Sequence, residues 1–381
     1  MNRLLSSPIH MLVGWRRFWF APVDPTTLAA VRIATGAVLL YTYAAVAPAV
    51  LDYVGPNAWV DPAALTTIRG MEDNSTYRYT WSVFSLVSDP QSIITLYWVF
   101  LASIAAFALG VFTRVAAPLV WIGHVSFVHR AHLTWYGIDV ILAMLTFYMM
   151  FAPCGAALSL DRLWRRSAGP PRASWTANLC IRLIQVHMAI IYLCAGLGKL
   201  QGSQWWDGSA VWTVIATKEL APLDVTGLGR LGDLVCLTIS SLGVLMTLGF
   251  EIGFIFLIWN RAARPVMLAL AVFLHAGIGL FMGMSAFGAA MLAGCFAFVE
   301  PTSITGFLQF FRIPFRRRQP SVAVEMESQI DSPLSRQKRI ALYVDRKKQE
   351  VKSDLAADLE IWSRASDTAL EAVDGHSDQA A

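Results

Sequence analysis

Charge is what this sequence has least of. Only 15% of its 381 residues are Asp, Glu, Lys or Arg, against 56% hydrophobic, where a soluble domain carries about a quarter charged. That shortage excludes an ordinary water-soluble fold for most of the chain. The charge that exists is concentrated: from Arg312 onward lie about a dozen basic and a dozen acidic residues, the balance of a helix surface in water. What precedes them is more apolar still and must face lipid. A net charge of +4 gives no footing for nucleic acid. Cysteine is scarce as well. Cys154, Cys180, Cys194, Cys236 and Cys295 form no CxxC pair, are odd in number and lie in or beside apolar runs. They read as small packing residues rather than a disulfide frame. The N-terminus lacks an unbroken apolar stretch, because Arg16 and Arg17 interrupt Ile9 to Phe20. This argues against a secretory signal peptide and for an interfacial amphipathic segment over Met11–Phe20. Neither an internal repeat of fixed period nor a low-complexity tract is present.

What is there in abundance is apolar sequence in lengths that span a bilayer, about 17–25 residues. The runs are Leu28–Val50, Ser92–Phe112, Val115–Val128, Trp135–Phe151, Asn178–Leu200, Leu231–Trp259, Pro265–Phe281 and Ala286–Phe298. The expected fold class is all-α, a polytopic transmembrane bundle of about eight spans. An interfacial segment over residues 1–26 precedes a membrane domain over 27–302, and a polar, helical, cytoplasmic tail follows over 303–381. Fourteen tryptophans suit such a protein, since indoles gather at membrane interfaces. An even span count with both termini in the cytoplasm puts about fourteen basic residues inside and five outside, as the positive-inside rule requires. The protein is therefore expected in the cell membrane, in contact with lipid. The tail carries apolar residues at Ile340, Leu342, Val344, Val351, Leu355, Leu359 and Trp362, the pattern of one or two cap or dimerisation helices.

An ionisable side chain at membrane depth costs at least about 2.5 kcal/mol, so each one asks for a reason. Arg32 and Arg182 are close enough to a helix end to snorkel. Glu251, two turns from Arg261, reads as having a structural partner. Asp139, Lys199 and His275 come from three helices at similar outer depth and could converge on a pocket. The bland readings are a snorkelling anchor for Lys199 and a hydrogen-bonded packing residue for His275. His124 and His129 are about 140° apart on a helix and share no face. His129 and His132 have no acidic partner at ligand spacing, so no metal is expected.

Around Lys199 the sequence runs Gln185-Val186-His187, then Ile191-Tyr192-Leu193-Cys194-Ala195-Gly196-Leu197-Gly198-Lys199-Leu200, then Trp205-Trp206-Asp207-Gly208. Asp24-Pro25 precedes the first span, Gly155 to Ser159-Leu160-Asp161 leaves the fourth, and His275 leads to Phe287, Met291 and Leu292. Together these resemble the horizontally transferred transmembrane (HTTM) domain, the membrane part of vitamin K-dependent gamma-carboxylases and their bacterial relatives. The resemblance covers roughly residues 12–302. It implies a carboxylase-like membrane enzyme, or a quinone-dependent one, with a quinol such as reduced vitamin K as cofactor. Lys199 stands where those enzymes place the base that deprotonates the quinol. On the same footing His275 and Asp139 are catalytic candidates that set its charge state or orient a ligand, and Gly196, Gly198 and Trp206 are cofactor-binding candidates. The glycines would admit a helix or a ligand to the backbone, and Trp205 and Trp206 would anchor the loop, with Asp207 capping the short helix after it. The chain departs from the carboxylases at Ala156 and Ala157, where they carry a histidine, and in the place of their lumenal domain. This leaves quinol chemistry open and disfavours glutamate carboxylation. Two other classes stay open: a non-enzymatic accessory protein for a secreted peptide, and a transporter.

Overall fold

The computed structural model describes residues 8–310 apart from 62, 65, 66, 68–79, 166–168, 217–222 and 224. The helices expected in the tail, and the acidic residues Glu72 and Asp73, lie outside the described residues. Ten main helices follow in order: α1 Pro8–Phe20, α2 Thr26–Val46, α3 Pro90–Leu109, α4 Thr113–Arg130, α5 Gly137–Met150, α6 Trp175–Lys199, α7 Asp233–Leu257, α8 Arg264–Met282, α9 Ser285–Cys295 and α10 Pro301–Phe310. Among the described residues there is no strand, only one antiparallel bridge between Val23 and Ser174.

Local sequence sets the helix ends. Asp89 accepts a hydrogen bond from Ser92 N at 2.8 Å ahead of Pro90, and Gly110, at φ 74°, ends α3 in the left-handed conformation. Ser174 caps α6 by accepting from Ala177 N. Gly283, at φ 71°, separates α8 from α9. That turn lets two apolar segments, nearly continuous in sequence, fold back on each other.

Every one of the eight apolar runs contains a helix. Five helices are long and apolar enough to cross a membrane: Thr26–Val54 (α2 with its short continuation), α3, α6, α7 and α8. A sixth arises only if Ser285–Phe298 and Pro301–Phe310, bent by 113°, count as one broken span. The 14 residues of α5 reach about 21 Å, short of a hydrocarbon core of about 30 Å. α4 holds Arg114 and Arg130 at its two ends. The outward faces of the long helices carry exposed apolar side chains, among them Trp98, Leu242, Leu245, Phe256, Val272 and Phe273. Contiguous apolar surface on this scale marks a lipid-facing wall.

α2–α5 pack in succession, and α6 packs on α7. α9 lies among α2, α5, α6 and α8, which its composition permits. A Cβ on Gly288 would approach the His275 carbonyl oxygen to 2.6 Å, and one on Gly294 would approach the Met188 sulfur to 2.5 Å. Small residues at these points allow backbone approach that a side chain would block.

Arg32 departs from the snorkelling expected of it. It is 0% exposed and donates to the Cys154 carbonyl at 3.1 Å and the Leu158 carbonyl at 2.5 Å. It thereby ties α2 to the loop after α5. Next to it, Asp161 accepts from Phe112 N (2.8 Å), Thr113 N (3.0 Å) and the Thr113 hydroxyl (2.7 Å). It caps α4 from 48 residues away, because the local N-cap, Phe112 at φ 44°, has no acceptor. Burial pushes this carboxyl up, but the bonds from Thr113 and Phe112 and the nearby Arg165 outweigh it, and the group sits below the usual carboxylate range. The Gly155-to-Asp161 motif is therefore a structural clasp.

Candidate functional site

Along α6, Tyr192, Gly196 and Lys199 fall at i, i+4 and i+7, one face of the helix. That face meets α7. Gly196 brings the two backbones together, since a Cβ there would lie 2.8 Å from Ile252 Cγ1 and 3.2 Å from Glu251 Cβ. One turn on, Lys199 Nζ reaches Glu251 Oε1 at 2.8 Å, with the side chains 28% and 8% exposed. The Trp205 ring covers the ammonium, its centroid 5.5 Å from Nζ, close enough for a cation–π contribution. Glu251 was expected to have a structural partner near Arg261; its partner is Lys199.

Glu251 follows Phe250, and the Phe250 ring packs against Tyr192 at 5.0 Å, with Phe254 at 4.4 Å. The Tyr192 hydroxyl bonds His275 Nε2 at 2.8 Å and meets Cys295 Sγ at 3.5 Å. Four helices, α6 to α9, thus contribute to one buried polar cluster whose aromatic wall is Phe250, Phe254 and Phe287. Two buried polar atoms in it have no hydrogen-bond partner: Glu251 Oε2 and His275 Nδ1. Buried groups left unsatisfied cost roughly 1–3 kcal/mol each and are rare without a reason.

Of the three catalytic candidates, the fold joins Lys199 and His275 through Glu251, Phe250 and Tyr192. Asp139 is elsewhere. It occupies the first turn of α5, where Oδ2 accepts from Tyr136 N at 2.9 Å. Its backbone carbonyl bonds His124 Nε2 at 2.9 Å, while His124 Nδ1 meets the Tyr43 hydroxyl at 2.7 Å. A carbonyl only accepts, so Nε2 carries a proton; with Tyr43 at Nδ1 both ring nitrogens are partnered, and His124 is a packing residue in a satisfied network. Phe287 separates the start of α5 from the site: it faces His275 on one side and the Gly137 position on the other.

The cofactor-binding candidates divide in the same way. Gly196 is filled by α7, whereas Gly198 faces open space, with nothing within 4 Å of a Cβ there. Trp206 is 74% exposed and donates to the Leu200 carbonyl; its neighbour Trp205 is the tryptophan at Lys199. Asp207 accepts from Ser209 N and Oγ in a turn just before the helix Ala210–Ile215.

Tyr192 and Cys295 carried no individual signal in the sequence beyond position. Tyr192 lies seven residues before Lys199, and Glu251 is the lone acid in the interior of α7. Of the histidines weighed for metal, His129 lies beside the Trp81 backbone. Among the described residues no three His, Cys, Asp or Glu side chains are grouped as metal ligands.

No curated protein and no solved structure matches this sequence. The family profile of the HTTM domain matches residues 20–302, well over half of the chain and all the helices just described from α2 to α9. With apolar helices of spanning length inside that match, this chain is an integral membrane protein that belongs to the HTTM domain family.

Proposed function

We propose that the Lys199 cluster is a proton-transfer site of a carboxylase-like or quinone-dependent membrane enzyme, with Lys199 as base. The observation that carries this reading is the Lys199–Glu251 pair, placed beside two buried polar atoms that have no partner. A lysine serving only as an anchor needs neither a buried carboxylate nor a neighbouring Tyr–His pair. The pair also supplies the base. Movement of one proton along the 2.8 Å Nζ···Oε1 contact gives a neutral amine beside a neutral acid. Tyr192 and His275 then offer a hydroxyl and an imidazole for orienting a polar ligand.

These residues fit a quinol. Trp205, whose ring covers the Lys199 ammonium, would hold its ring, and Glu251 Oε2 and His275 Nδ1 would meet its hydroxyls. When bound, a quinol would supply an acidic hydroxyl and two reducing equivalents. A lipid-soluble ligand suits a lysine that is 28% exposed in a bundle with an apolar exterior, and a secreted peptide would be the second partner. We place the protein in the cell membrane with an even number of spans and both ends cytoplasmic, on the strength of the arginine distribution in the sequence.

Oxygen-dependent oxidation of an added naphthoquinol by the purified protein tests the reading. Lys199→Arg keeps charge and stem but cannot act as a base near neutral pH. It should abolish turnover as fully as Lys199→Ala, with membrane levels unchanged. A Lys199→Arg protein as active as the parent would remove the base role.

A further inference from the structure

A second candidate site lies at the opposite end of α6 from Lys199. The first turns of α4 and α6, the loop after α5 and the helix Leu160–Trp164 enclose a groove of about 390 Å³. Arg114 and Arg165 both line it and are exposed. Neither guanidinium donates a hydrogen bond among the described residues, unlike the clasp arginine Arg32 in the same region. The acid in the groove, Asp161, has its oxygens committed to the start of α4. Two guanidiniums against one carboxylate leave a net positive charge facing the cavity. Met150 and Phe151 add apolar lining. Phe151 continues into Phe147 one turn deeper on the same face, the rings 5.2 Å apart, and both are exposed.

The rim fixes the level of this groove in the bilayer. Phe112, Trp164 and Trp175 are all exposed around it, and the first two rings are in contact. Exposed aromatics at one end of a bundle mark the headgroup layer. Charge is thus placed at headgroup depth, with an apolar track leading down from it.

We propose that this groove is a lipid site that seats the phosphate of an anionic glycerophospholipid between Arg114 and Arg165. The acyl chains run along Phe151 and Phe147. Guanidinium suits this ligand because it meets phosphate oxygens through two parallel N–H donors. A soluble phosphate ester has the same head chemistry but nothing to place on the aromatic track. The site is independent of Lys199 and of the reaction proposed there.

Native mass spectrometry of the full-length protein in detergent tests it, with dioleoyl phosphatidylglycerol, dioleoyl phosphatidylcholine and glycerol 3-phosphate as separate probes. Phosphatidylglycerol should bind most tightly. Replacing both arginines (Arg114→Gln with Arg165→Gln) should weaken it roughly 30-fold, and Arg165→Gln alone about fivefold. Arg261→Gln, an exposed arginine in the α7–α8 turn, should leave it unchanged. Both groove arginines are exposed, so the melting temperature of each variant should stay close to the parent, with at most a small fall in Arg165→Gln from its lost attraction to Asp161, and separates lost binding from lost fold. Equal retention of phosphatidylcholine, or unchanged phosphatidylglycerol binding in the double variant, would overturn the proposal. Glycerol 3-phosphate binding as tightly as the lipid would overturn it too, by making the occupant a soluble ester.

Discussion

Removing either member of the Lys199–Glu251 pair should destabilise the protein, but unequally. Lys199→Ala leaves Glu251, whose side chain is 8% exposed, with a charge it can neither solvate nor pair. Breaking a buried pair costs about 3–5 kcal/mol when the survivor stays charged. Protonation of the orphaned carboxyl relieves part of that, so about 2–3 kcal/mol is the expected loss. Glu251→Gln leaves Lys199, which at 28% exposure is screened and has a stem long enough to turn its ammonium outward. Its loss should be about 1 kcal/mol. In the double variant Lys199→Ala with Glu251→Gln no buried charge is left, and much of the larger loss should return, a coupling energy of about 1–2 kcal/mol. Thermal unfolding in detergent, followed by the fluorescence of the fourteen tryptophans, measures all four proteins. Strict additivity in this cycle, or a Glu251→Gln loss as large as that of Lys199→Ala, would refute the pairing. The cycle reads stability alone and stands apart from the activity of Lys199→Arg.

Two further outcomes follow from the geometry. Gly196→Ala should cost about 1–3 kcal/mol by forcing α6 away from Ile252, whereas Gly198→Ala, which meets open space, should be neutral or gain up to about 1 kcal/mol of helix propensity; equal melting temperatures would contradict the close approach of α6 and α7. Asp161, held below the usual carboxylate range in the folded protein, contributes stability that is present above its unfolded value and lost as pH falls through its folded one. Melting temperature should therefore drop on acidification below the ordinary carboxylate range, and Asp161→Asn should remove that part of the drop; an unchanged acid limb would show that Asp161 does not hold the α4 terminus.

The helices were legible because a bilayer rewards apolar length, and length survives in the sequence whatever the packing. Span membership was less so: α5 is apolar yet short, and only the folded chain shows where its helix starts and stops. The site was half legible. Lys199 and His275 stood out as charges in apolar runs, while the partner of Glu251 was misjudged because proximity along α7 pointed to Arg261. The pairing depends on how far α6 and α7 are displaced along each other, which no periodicity records. Asp139 misled for the opposite reason. An acid three residues after a helix start serves that start first, and Tyr136 to Asp139 carries this local spacing. Arg32 looked free to snorkel because its two carbonyl acceptors belong to an irregular turn with no sequence signature of its own.

That arginine has a consequence for how the protein is made. Arg32 enters with the first apolar helix, but the carbonyls that receive it lie 122 and 126 residues further on. At about 5–20 residues per second, the ribosome needs roughly 6–25 seconds to supply them. A solitary guanidinium is poorly tolerated in hydrocarbon for that long. The first helix should therefore linger at the insertion machinery, or at the water boundary, until the α5–α6 turn emerges. The bonds that satisfy Arg32 are thus available only after the segment it clasps has been made.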